Sequence, residues 1–177
     1  MKKRKVFILS LLLFCSLSLT SCDIKQLISS VINPETILPD GNIKELAFCY
    51  EYFNNIDYEN SILETKGFAN ESIEKKAIVK DEESNILGYV YVVSGKNSYG
   101  PIILSVGISF DGKLVGVNLL ENGQSFSKEV QEHVNNNYSS GLTLSDIELI
   151  DIKCGATFGA QTVKKLVKVA FDDLASE

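Results

Sequence analysis

The 177-residue sequence is poor in several residue types: one histidine, one methionine, three prolines and no tryptophan. With His133 as its only imidazole, the chain offers no ready Ser-His or Cys-His nucleophilic pair and no convincing zinc or iron ligand set. Basic residues are outnumbered, 17 Lys and Arg against 23 Asp and Glu, for a net charge of −6. That balance speaks against nucleic acid, which needs a clustered basic surface. Four cysteines and twelve glycines are too few for a disulfide-dense or collagen-like chain. What remains is 45% hydrophobic and 23% charged, the composition of one compact domain with accessory segments.

The charge is unevenly placed. Lys2, Lys3, Arg4 and Lys5 precede an apolar run, Val6 to Leu19, broken only by serines. About 14 residues are too few to span a ~30 Å hydrocarbon core comfortably, so the run reads as the apolar part of an export signal. It ends in Leu19-Thr20-Ser21-Cys22, which resembles a bacterial lipobox, an apolar and two small residues before an acyl-accepting Cys. The alternative is an ordinary secretory signal or anchor with a chance Cys. The expectation is a signal over residues 1–21, lipid attached at Cys22, a tether over 22–41 containing Pro34 and Pro39, and a folded domain over 42–177. Loss of residues 1–21 leaves 13 basic against 23 acidic side chains, a net of −10. Cys49 and Cys154 are then the remaining thiols, readable as a disulfide or as two small, partly buried side chains. His133, in a polar helical stretch, reads as solvated.

The expected fold class is α+β, an antiparallel β-sheet meander packed with helices. Ile43, Leu46, Ala47, Tyr50 and Phe53 recur at helical steps from Asn42, while residues 57–75 carry no clear period. Strands are expected at Ala77–Val79, Ile86–Val93, Pro101–Ser109, Lys113–Glu121 and Ser145–Ile152. Asp111-Gly112 between two apolar runs predicts a hairpin with a type I′ turn. Helices are expected at Ser127–Asn137, capped by Ser127, and at Thr162–Leu174, with a stripe of Val163, Leu166, Val167, Ala170, Phe171 and Leu174.

The segment with chemical content is Asp151-Ile152-Lys153-Cys154-Gly155-Ala156-Thr157. Gly155 and Ala156 remove side-chain bulk just before a helix, whose first amides and dipole favour a phosphate, with the Thr157 hydroxyl at the centre. Read alone, such a turn is also an ordinary connection into a helix.

Asp-x-x-(Ser/Thr)-Gly-Ala-Thr is the flavinylation motif of the FMN-binding domain family, found in Rnf and Nqr flavin subunits and in flavin-carrying surface lipoproteins, and this segment resembles it. Asp151, Gly155, Ala156 and Thr157 match, Cys154 stands at the Ser/Thr position, and Phe158-Gly159-Ala160 follow where relatives carry more hydroxyls. Upstream, Gly88-Tyr89-Val90, Ser98-Tyr99-Gly100-Pro101-Ile102 and Val106-Gly107-Ile108-Ser109-Phe110-Asp111-Gly112-Lys113 resemble further family segments, so the likeness covers roughly residues 86–174. Glu121-Asn122-Gly123-Gln124-Ser125-Phe126 stands where the family has Glu-His-x-Glu-Thr-Pro.

The resemblance implies FMN joined through its phosphate to Thr157 by a flavin transferase that uses FAD. It makes Cys154, Gly155, Ala156 and Asp151 part of the attachment site, and Gln124 and Ser125 candidates for ring contacts. Gln in place of Glu at 124 removes a negative charge near the ring and implies a higher potential. By themselves, Gly107, Gly112 and Gly116 are explained by strand twist and turns, and Tyr89, Tyr91 and Tyr99 by strand preference.

The leading functional expectation is a lipid-anchored, extracytoplasmic flavoprotein relaying electrons, an electron-transfer protein more than a substrate-converting enzyme. Its partners would be the membrane through Cys22, the flavin transferase, and a quinol-linked or Rnf-type redox complex, with no nucleic acid. The other readings are a non-redox surface lipoprotein that keeps the fold as an interaction module, and a solute receptor, for which ~135 folded residues are few.

Overall fold

Hydrophobic runs separated by turn chemistry build five strands, and a computed structural model describes them within residues 46–152 and 155–176. They are β1 (Ile62–Glu64), β2 (Ile73–Lys80), β3 (Ile86–Asn97), β4 (Gly100–Ser109) and β5 (Leu114–Asn122). All neighbours are antiparallel, and the spatial order β1-β2-β3-β4-β5 is the chain order, a meander. Three helices follow, α1 (Ser127–Asn137), α2 (Leu144–Leu149) and α3 (Thr157–Ala175). The fold is α+β.

Strand alternation sends Tyr91, Val93, Ile102, Leu104, Val106 and Ile108 to one face, where they meet α1, α2 and α3 in the main core. The apolar stripe of α3 (Val163, Leu166, Val167, Ala170 and Phe171) is buried, and the helix lies across β3 and β4. Each such aliphatic side chain withdrawn from water stabilises by roughly 1.5–3 kcal/mol, so this face dominates the packing. Lys76, 1% exposed, also lies within the fold, its Nζ 3.3 Å from Asp173 Oδ2 and over the rings of Tyr89 and Tyr91.

The opposite face is covered by the segment leading into β1. A 3-10 helix, Ala47–Glu51, brings Leu46 and Cys49 against Ala77, Val79 and Val90. The tighter repeat of three residues per turn explains why Leu46, Cys49 and Tyr52 share the inner side while Tyr50 is 71% exposed. This corrects the longer helical face expected from Asn42, part of which lies outside the described residues. Cys49 is a buried free thiol, and burial pushes its pKa up to about 12, the mark of an inert side chain.

Gly107 and Gly116 are cross-strand partners on this face. They seat the Tyr52 ring: a Cβ on Gly107 would stand 2.5 Å from Tyr52 Cδ1, and one on Gly116 3.4 Å from Cε1. The Tyr52 hydroxyl donates to Ser105 O at 2.9 Å and lies 2.6 Å from Ser105 Oγ. These glycines therefore do more than permit twist. They leave room for an aromatic ring against the backbone.

Three further local expectations are corrected. Ser145–Ile152 is not a strand: Leu144–Leu149 is helical, because Thr143 and Asp146 form a reciprocal capping box. Lys164 of α3 donates to Glu148 O at 2.8 Å and to Ile150 O at 2.9 Å, satisfying the other end. The β4–β5 hairpin forms at the expected place, but only Gly112 has positive φ (+75°), and Gly112 N donates to Ser109 O. The turn centres on Phe110-Asp111 with Gly112 behind it, not on a type I′ pair. His133 is buried, its Nδ1 3.2 Å from Asn137 Nδ2 and its ring edge-on to Tyr138, so it is not a solvated residue. Among the described residues no helix is long and apolar enough to cross a membrane. The signal, the tether and Cys22 lie outside the described residues.

Candidate functional site

The β3–β4 turn, the β5–α1 connection and the starts of α1 and α3 meet at one cleft. The β3–β4 turn presents Tyr99, held by its own backbone: Tyr99 N donates to Asn97 Oδ1 at 2.8 Å. Asn97 Nδ2 reaches α3, donating to Thr162 Oγ1 at 2.9 Å and Phe158 O at 3.2 Å. Gly100 follows with φ +136°, and a Cβ there would stand 2.1 Å from Gly123 O. The close approach brings the β5–α1 connection alongside, fixed by Gly123 N donating to Pro101 O at 2.9 Å and Asn122 Nδ2 to Ser127 O at 2.8 Å.

Between these pieces lies a cleft of about 190 Å³ lined by Tyr99, Gln124, Phe126, Gly155, Ala156, Thr157, Phe158 and Gly159. Three of these are large aromatic side chains left in contact with solvent. Tyr99 lies 5.5 Å from Phe158 and 6.4 Å from Phe126 between ring centroids, an open aromatic corner. Among the described residues, none that lines the cleft carries a charged side chain.

Two helices start at this cleft. Phe126 is the N-cap of α1 and Ala156 the N-cap of α3, and neither has a side-chain capping bond. The expected Ser127 cap is thus one residue inside its helix. The first turn of α3 also has no acid to complement its dipole. α1 carries Glu129 in its first turn, so it is the dipole of α3, whose N-cap residue has no capping side chain and whose first turn has no acid, that favours an anionic group at the cleft. Thr157, the first residue of α3, is exposed there. Among the described residues, the nearest atom to a Cβ on Gly155 would be Glu129 Cγ at 3.9 Å.

Gln124 is 7% exposed and braces the cleft, its Nε2 donating to Gly100 O at 2.5 Å. Glu at this position would set a carboxylate against that carbonyl, so the amide matters to the architecture as well as to charge. On the floor of the cleft, Gly159 lies against α1: a Cβ there would stand 2.4 Å from Val130 Cγ2.

Of the residues the sequence singles out, Gln124, Gly155, Ala156 and Thr157 line one cleft. Ser125 and Asp151 are exposed and lie outside its lining, and Cys154 is outside the described residues. Tyr91 is buried in the main core. Tyr99, read from sequence as an ordinary strand residue, lines the cleft, as do Phe126 and Phe158. The available signal was their placement beside turn residues, where an aromatic side chain has no core to enter. Among the described residues no group of three or more His, Cys, Asp or Glu is arranged to hold a metal ion.

The donor set fits a flat, phosphate-bearing cofactor. The α3 start, with no acid in its first turn, suits the phosphate, the Thr157 hydroxyl stands there, and aromatic side chains line the neighbouring wall. At about 190 Å³ the cleft is smaller than the ~300–1,000 Å³ typical of pockets that enclose a ligand. A flavin held here would keep part of its ring system outside. Compared with known proteins, the chain matches no family model and no curated sequence.

Proposed function

We propose that this domain carries FMN, bonded through its phosphate to Thr157, and relays electrons on the outer side of a membrane to which Cys22 is lipid-anchored. The observation that carries the proposal is the convergence of Tyr99, Gln124, Phe126 and the Gly155–Gly159 turn, from three separate stretches of sequence, on the cleft beside Thr157.

Attachment balances as a phosphoryl transfer. The Thr157 oxygen attacks the FMN-side phosphorus of FAD, the bond between the two phosphorus centres' bridging oxygen and that phosphorus breaks, and AMP leaves. The hydroxyl proton passes to a base on the transferase. Bound FMN supplies one- and two-electron redox chemistry. The chain's own residues would do the holding: the α3 start would take the phosphate, Gln124 braces the wall, and the shallow cleft would leave the ring edge within reach of a redox partner. Covalent attachment also suits an exported protein, for which a lost cofactor is hard to replace.

The open aromatic corner favours a second reading, a non-redox surface lipoprotein in which Tyr99, Phe126 and Phe158 dock a partner protein. Intact and peptide mass spectrometry of protein produced with an active flavin transferase separates the two. The expected result is an adduct of FMN less one water on the peptide containing Thr157, absent in Thr157→Ala. Colourless, unmodified protein overturns the flavin reading and leaves the docking module.

A further inference from the structure

Helix α1 buries Val130, His133 and Val134, so one of its three inner side chains is titratable. His133 Nδ1 lies 3.2 Å from Asn137 Nδ2, and the same amide nitrogen donates to His133 O at 2.8 Å. An amide nitrogen only donates, so Nδ1 accepts and the neutral ring carries its proton on Nε2. Turning the Asn137 amide over to suit an imidazolium would set its oxygen against the His133 carbonyl. Nε2 and the hydroxyl of neighbouring Tyr138 are buried without a hydrogen-bond partner among the described residues, so no hydrogen bond holds the ring on that side. The charge that acts on the ring is Lys164 of α3, and it repels a proton; its amine is held by Glu148 O and Ile150 O. The other ionisable side chains nearby in the chain face solvent: Lys128, Glu129 and Glu132 on α1, Glu121 on β5, Asp146 and Glu148 on α2, Lys165 on α3.

Both flanks of α1 are pinned. Before it, Gly123 N donates to Pro101 O; beyond it, Gly141 N donates to Leu114 O at 2.8 Å and Leu114 N to Leu142 O at 2.7 Å. Between these anchors Val130 packs under Gly159 at the floor of the cleft, and the N-cap residue Phe126 lines its wall. We propose that α1 is an acid-released wall of the cleft: proton uptake by His133 frees the helix from α3 and draws Val130 away from the Gly159 floor. An imidazolium is rejected in place by the Asn137 donor, by the Lys164 charge and by burial, and all three are relieved when α1 lifts. The neutral ring therefore holds the wall above about pH 6.5, and the hold weakens as pH falls below it. The inference stands apart from the flavin reading, since it concerns the wall whatever fills the cleft.

The test is hydrogen–deuterium exchange of the full chain at pH 7.5 and 5.5, read by mass spectrometry and corrected for the intrinsic pH dependence of exchange. With the released ring titrating at its ordinary 6.5, the open form gains about tenfold between those two pH values. Peptides over residues 127–138 and 156–160 should lose about tenfold in protection, while β3 and β4 stay the better protected at both. In His133→Gln, which takes up no proton, the loss should vanish. Asn137→Asp puts a carboxylate where Nδ1–H of an imidazolium can donate, so there the loss should shrink; this variant decides if His133→Gln does not fold. No loss in the wild-type protein, or an equal loss in the variants, overturns the role of His133. A loss in which α1, β3 and β4 exchange at one common rate is global unfolding and overturns the local release.

Discussion

Gly159→Ala sets two known effects against each other at the floor of the cleft. Gly is poor in a helix, and Ala would ordinarily stabilise α3 by up to ~1 kcal/mol, less near the first turn. The methyl group would stand 2.4 Å from Val130 Cγ2, more than 1 Å inside the ~3.5–4.0 Å contact distance of carbon atoms. Val130 is fully buried on α1, and a β-branched side chain in a helix has essentially one χ1 well, so it cannot swing away. The helices must separate instead, and overpacking of this kind costs about 1–3 kcal/mol. Overpacking wins: the expected net is a loss of about 1–2 kcal/mol, or roughly 3–5 °C per kcal/mol in thermal midpoint for a domain of this size. Urea and thermal unfolding followed by circular dichroism measure it. The double variant Gly159→Ala with Val130→Ala should lie at least ~1 kcal/mol above the sum of the single changes, because the new methyl fills the space the valine leaves. A Gly159→Ala protein as stable as the wild type, or strict additivity in the cycle, refutes the close contact between α1 and α3.

Two other perturbations read different parts of the fold. Tyr52→Phe removes the hydroxyl bonded to Ser105 and should cost ~1–3 kcal/mol, whereas Tyr52→Ala also empties the seat over Gly107 and Gly116 and should cost ~3–5 kcal/mol; urea midpoints that do not separate the two would show that the ring is not packed there. His133 is held below its ordinary value of 6.5 by burial, with Lys164 adding repulsion, so the unfolded chain binds the proton first. Its contribution is therefore full above about pH 6.5 and is lost as pH falls toward the folded pKa. His133→Gln should flatten that part of the stability profile between pH 7.5 and 5, and an unchanged slope in urea titrations would refute it.

Much of the fold is legible in the sequence because its signals are local. Alternating Val, Ile and Tyr from Ile86 onward, Asp-Gly at 111–112 and the stripe from Val163 to Leu174 each state an element within a short window. The errors came where two local signals competed. Ser145–Ile152 has strand-like apolar residues, yet Thr143 with Asp146 satisfies the first amides of a helix, and Lys164, 14 residues beyond Ile150, satisfies its last carbonyls. Leu46 and Cys49 follow a period of three instead of 3.6, a difference too small to see over one or two turns. His133 looked polar from its neighbours, but its own side of α1 faces the core beside Val130 and Val134.

By itself the sequence determined the α+β class, the meander of strands, the long last helix and the single residue, Thr157, on which a flavin bond can be proposed. It also marked Gln124 and the Gly155-Ala156 turn. Only the tertiary structure decided that Tyr99, Phe126 and Phe158 line one cleft with Thr157, that the N-cap residues of α1 and α3 lie at it, and that Gly107 and Gly116 make room for Tyr52. The reason is physical. A strand or helix period is written in neighbouring residues, whereas a site depends on strand register and helix approach, which bring together positions 99, 124 and 157 only once the sheet has paired and α3 has packed across it.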